Sequence, residues 1–76
     1  MKKYYFVEKN KRDEFIYYTF KNLIDDTLIT ISYCMSWNYF NVYGLVNNNV
    51  IDIFDYIPSK KRLLKKLYKM NIILKY

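Results

Sequence analysis

The sequence predicts an α+β fold: an antiparallel sheet of about four or five strands packed against one C-terminal amphipathic helix. Three observations lead there. Residues 59–70, SKKRLLKKLYKM, follow the only proline and separate apolar from cationic side chains at helical spacing. Leu28 to Ser36, LITISYCMS, alternates at the period of a strand. Charged or asparagine-rich stretches punctuate the aromatic and β-branched runs between the remaining elements.

Taken in order, Lys3 to Glu8 (KYYFVE) is aromatic and suits a strand, and Lys9 to Asp13 (KNKRD) reads as a polar turn after it. Glu14 to Ile24 fits two templates. As a helix, Phe15, Ile16, Thr19, Phe20, Leu23 and Ile24 share one side. As a strand, Glu14–Phe20 is rich in β-formers and makes a hairpin with the first run. Composition favours the strand. Lys21 to Thr27 is a loop or short helical turn around Asp25-Asp26. In the strand Leu28 to Ser36, Ile29, Ile31, Tyr33 and Met35 face one way. Thr30, Ser32, Cys34 and Ser36 face a wetter side.

Trp37-Asn38 turns the chain into a strand over Tyr39 to Val46, and Asn47-Asn48-Asn49 turns it again, because asparagine tolerates left-handed geometry. Val50 to Ile57 is then a strand that ends at Pro58, which disfavours helical geometry at the residue before it. Ser59 is placed to cap the helix that follows. On the helical wheel Leu63, Leu64, Leu67 and Met70 share one side with Tyr68 at its edge, and Lys61, Arg62, Lys65, Lys66 and Lys69 fill the other. Ile72 and Ile73 would fall among the lysines, so the helix should stop near Met70 or Asn71, and asparagine is a suitable left-handed cap. Ile72 to Tyr76 can return as a short strand.

The 76 residues suit one domain spanning 1–76. Such a small chain buries only about 60–65% of its unfolded surface. Its ten tyrosines, five phenylalanines and one tryptophan compensate by burying a large area with few rotatable bonds. Lys, Asn, Ile, Tyr and Phe, the residues of A/T-rich codons, dominate, so part of the lysine content reflects genome composition. The net charge of +6 nevertheless favours anionic partners. A lone Cys34 gives no disulfide framework and points to an intracellular setting. Met1-Lys2-Lys3 has the charge of a signal peptide, but the apolar run after it is too short for one. No run approaches the roughly 20 apolar residues of a membrane span. The expected location is the cytoplasm.

Catalytic chemistry finds little to work with. There is no histidine, which excludes Ser-His-Asp and Cys-His arrangements, and one cysteine without histidine excludes the ordinary zinc sites. The single glycine, Gly44, excludes glycine-rich phosphate loops. Asp52 and Asp55 lie three apart on a strand and point to opposite faces, and Asp25-Asp26 is foremost a turn pair. No enzyme activity, cofactor or metal is expected.

Binding is where the residues point. Lys61, Arg62, Lys65, Lys66 and Lys69 have no interspersed carboxylate, so they form either a solvated face or a stripe that meets anions. Trp37, Tyr39 and Tyr43 are either core aromatics or rings on which bases stack. The leading expectation is a non-enzymatic small basic binding protein of phage or mobile-element type. It would lie in the host cytosol and inhibit a host nucleoprotein or nuclease complex by occlusion, in the manner of an anti-CRISPR inhibitor. The alternative is a regulator that binds DNA or RNA directly through the basic helix face. A membrane-surface role is disfavoured, because the apolar helix face lacks Trp and Phe and is needed by the sheet.

Overall fold

The computed structural model describes all residues 1–76. Its elements are β1 (Lys2–Arg12), β2 (Phe15–Asn22), β3 (Leu28–Cys34), β4 (Tyr39–Val46), β5 (Asn49–Ile57), α1 (Lys60–Lys69) and β6 (Ile72–Lys75). The α+β class and the C-terminal helix are as expected. The sheet is close to the expected size but differs in detail: it has six strands, is mixed, and curls, with the order β5-β4-β3-β2-β1-β6. β1 to β5 form an antiparallel meander, and β6 joins the free edge of β1 in parallel. Direction explains the last pairing. Five alternating strands leave β5 running the same way as β1, α1 carries the chain back, and the next strand must run with β1. The Lys2 N–H donates to the Asn71 carbonyl at 2.7 Å as that pairing begins. No helix is long and apolar enough to cross a membrane.

The turns account for the register. Asn47 and Asn48 have φ of 52° and 64° and join Val46 to its partner Asn49, the left-handed pair that two-residue hairpins require. The stretch Lys9 to Asp13 is not a turn. β1 continues to Arg12, which pairs with Phe15, and the bend is confined to Asp13-Glu14, where Asp13 has φ of 56°. Polar residues persist there as a strand because the distal half of β1 is exposed and hydrogen-bonds to β2 through its backbone. Lys21 and Asn22 extend β2 into the expected loop, and the buried Asn22 Oδ1 accepts from Ile24 N–H at 2.8 Å and Asp25 N–H at 3.2 Å to turn the chain. The Thr27 hydroxyl and N–H both donate to Asp25, and these bonds hold its carboxyl below the usual carboxylate range, with Lys2 assisting.

One face of the curled sheet carries the core: Tyr4, Phe20, Ile29, Ile31, Val42 and Ile57, closed by Leu63 and Leu67 of α1 and by Ile72. The helix contacts both edge strands, β5 and β6, and so spans the open side of the curl. Ser59 caps it as expected, its hydroxyl accepting from Arg62 N–H at 3.2 Å. It ends at Met70, and Asn71 takes the left-handed conformation with φ of 63°. The apolar helix face is narrower than the wheel suggests. Only Leu63 and Leu67 are buried, whereas Leu64 and Met70 lie at the margins, because a ten-residue helix across a curled sheet meets it along a single line.

The opposite, uncovered face also departs from expectation. Alternation places Ser32 and Cys34 on a wetter side, yet they are 2% and 1% exposed. Their cross-strand partners explain this. Phe15 and Tyr39 flank Cys34, and Tyr17 and Asn41 flank Ser32, so large side chains roof small ones.

Candidate interaction surfaces

The first surface is the outer side of α1. Lys60, Lys61, Arg62, Lys65, Lys66 and Lys69 are all exposed. The two ion pairs of the protein, Lys2–Asp25 and Lys21–Asp26, lie elsewhere, so no carboxylate offsets these cations. Lys66 lies over the Phe54 ring at 5.1 Å from its centroid, which steers the ammonium toward β5. On the wheel, Leu64 and Tyr68 border the row of Lys61 and Lys65, and they are 42% and 63% exposed. The outer face is therefore cationic along its crest and apolar along one flank. At the start of the helix, Lys60 stands at the rim of a cavity of about 370 Å³ lined mainly by apolar side chains such as Phe20, Ile31, Leu63 and Leu74.

The second surface lies at the end of the uncovered face where the β3–β4 hairpin turns. Trp37 is 80% exposed in that turn. Tyr39 starts β4 on the uncovered face, opposite Cys34, and Tyr56 of β5 stacks on it with ring centroids 5.0 Å apart and planes 15° apart. Trp37, Tyr39 and Tyr56 line an open recess. Partial burial pushes the Tyr39 phenol above its ordinary value, with Cys34, Tyr56 and Glu14 acting in the same direction. The turn itself is pinned: Ser36 donates to Glu14 Oε2 at 2.6 Å, Met35 N–H donates to the Glu14 carbonyl at 2.9 Å, and the Tyr33 hydroxyl donates to Asn38 Oδ1 at 2.6 Å.

Tyr56 reaches this position through an irregular strand. Between the pairs Val42–Phe54 and Phe40–Ile57, Asp55 and Tyr56 together oppose Asn41, and a second irregularity at Ile53 precedes them. These bulges turn Ile53, Phe54 and Ile57 toward the core and release Tyr56 outward. The only glycine makes room for this, since a Cβ on Gly44 would approach Ile53 Cδ1 to 3.1 Å. Tyr56 adopts φ of 54°, and the largely buried Asn41 accepts its N–H at 2.9 Å. A left-handed conformation at a bulky aromatic residue costs about 1–3 kcal/mol.

The anticipated residues therefore do not converge. The helix cations cover one face of the sheet, while Tyr39 and Tyr43 lie on the other, so bases stacked on these rings would not share a groove with the α1 cations. Tyr43 is also separated from Tyr39 by four residues of strand, about 14 Å. It pairs with Thr30 and Asp52 outside the recess. Tyr56 takes its place. Strand alternation gave no warning of this, because a bulge has no periodic signature in one sequence. No family model, curated protein or solved structure matches this chain.

Proposed function

We propose that this chain is a non-enzymatic binding protein of phage or mobile-element type that docks the outer face of α1 on an acidic surface of a host nucleic-acid-handling complex and occludes it. The observation that carries this reading is the pairing of uncompensated cations with an exposed apolar flank, Leu64 and Tyr68. Cations steer the approach to an acidic surface, and Leu and Tyr give apolar area that a protein partner can desolvate. Phosphate contact alone would leave that flank unused.

Direct binding of DNA or RNA is the second reading, favoured by the absence of any carboxylate among the α1 cations. The helix lies against the sheet along Leu63 and Leu67, so its outward side chains are suited to phosphates rather than groove floors. Binding of that kind would be sequence-independent and steeply salt-dependent. Two variants separate the readings. One reverses charge at Lys61→Glu, Lys65→Glu and Lys69→Glu; the other removes the flank at Leu64→Ser and Tyr68→Ser. Inhibition of nuclease activity in a host extract should fail in both. Loss in the charge variant alone, with added nucleic acid competing for the wild-type protein, would move the assignment to direct nucleic-acid binding.

A further inference from the structure

A ten-residue helix, about 15 Å long, cannot cover the whole concave side of six strands. Around Lys60, Leu63 and Leu64, in its first turns, a cavity of about 370 Å³ remains between helix and sheet. Nine of the ten residues that line it are hydrophobic, and the tenth is Lys60. Buried Phe20 and Ile31 lie at its base, and half-buried Tyr18, Tyr33, Phe40 and Leu74 bring it out to solvent. Protein interiors are ordinarily close-packed, and an apolar space left empty loses dispersion contacts. A concave, apolar site with one polar group is the usual form of a small-molecule pocket.

We infer that this cavity binds a medium-chain fatty acid, with the hydrocarbon tail among the apolar walls and the carboxylate at Lys60. Size sets the chain length. At roughly 30 Å³ for each water-sized group, the space holds about a dozen non-hydrogen atoms, as many as decanoate has. Charge sets the head group. No acidic side chain lines the cavity. The first turn of α1 holds no acid either, although a helix start ordinarily favours one. Lys60 opens the helix instead, so the positive end of the helix dipole and a cation coincide at the cavity. A second cation is close: the Lys9 ammonium lies 5.8 Å from the centroid of the Tyr18 ring, one of the walls. An anionic amphiphile is complementary to these groups, and a cationic one would be repelled. The site lies between α1 and the sheet, so it stands independently of the role proposed for the outer cations.

The methyl resonances of Ile31, Leu63 and Leu74 report on the cavity directly in an NMR titration of the full chain. Decanoate, kept below its micelle concentration, should shift them saturably. Leu23 and Ile24, on an exposed loop outside the cavity, should not respond. Octanoate should bind roughly fifteenfold more weakly, because each methylene lost costs about fourfold. Decanol, which lacks the charge, should bind about threefold more weakly than decanoate. Lys60→Gln, at an exposed position where the fold should persist, should remove most of the decanoate advantage and leave decanol unchanged. Shifts that do not saturate, or that spread over exposed methyls outside the cavity, would overturn the inference. So would octanoate, decanol or decylamine binding as tightly as decanoate, or a decanoate affinity indifferent to Lys60→Gln. Ligand-free shifts that follow protein concentration, with a dimeric mass in sedimentation, would also overturn it, because a second copy would then fill the cavity.

Discussion

The two faces of the sheet solve burial differently. On the concave face, large side chains such as Phe20, Ile31 and Val42 meet Leu63 and Leu67 of a covering helix, and the core is closed by a separate element. On the convex face nothing covers the strands. The small residues Ser32 and Cys34 are nevertheless buried, because Phe15, Tyr17, Tyr39 and Asn41 lean across them from neighbouring strands. A chain too short for a second layer can use its aromatics as a roof as well as a core. The consequence is a division of roles. The concave side carries most of the stability and supports α1, whereas the convex side presents partly exposed rings, including a recess built at some cost in backbone strain.

That division can be tested by truncation. The largest effect should come from Phe20→Ala, which removes a fully buried ring and should cost about 3–5 kcal/mol in urea unfolding. Trp37→Ala, on the exposed turn, should stay within about 0.5 kcal/mol of wild type. If the two losses were similar, the convex face would be carrying core energy and the comparison would fail. Ser59→Ala removes the α1 cap and should cost about 1 kcal/mol. The last effect has the opposite sign. Ser32 Oγ is buried without a hydrogen-bond partner, so Ser32→Ala should leave stability unchanged or raise it by up to about 1 kcal/mol. A clear loss would mean that the hydroxyl is satisfied in solution and that the roof over it is wetter than the geometry indicates.

Local chemistry made most of the fold legible. Alternation marked the strand Leu28–Cys34, although the strand stops two residues short of the expected Ser36. The asparagines at 47–48, Pro58 with Ser59, and Asn71 each act through their own backbone and did what their residue types dictate. What escaped were effects of pairing. Lys9 to Arg12 look like a turn alone but are held as strand by β2, and the parallel return of β6 follows only from counting strand directions. The α1 surface was readable because helical periodicity assigns sides without tertiary knowledge. The aromatic recess was half readable: Trp37 and Tyr39 stood out by type and position. Tyr43, a candidate beside them in the sequence, lies outside the recess, and Tyr56 was hidden by two strand irregularities.

The central claim is that the α1 cations serve a protein partner rather than bare nucleic acid. Fluorescence anisotropy with labelled single-stranded and duplex oligonucleotides, followed from low to physiological salt, tests it most directly. The account predicts weak binding at low salt that vanishes at physiological ionic strength. Sub-micromolar binding that persists at physiological salt and disappears with Lys61→Glu, Lys65→Glu and Lys69→Glu would contradict it and make the helix a nucleic-acid contact in its own right.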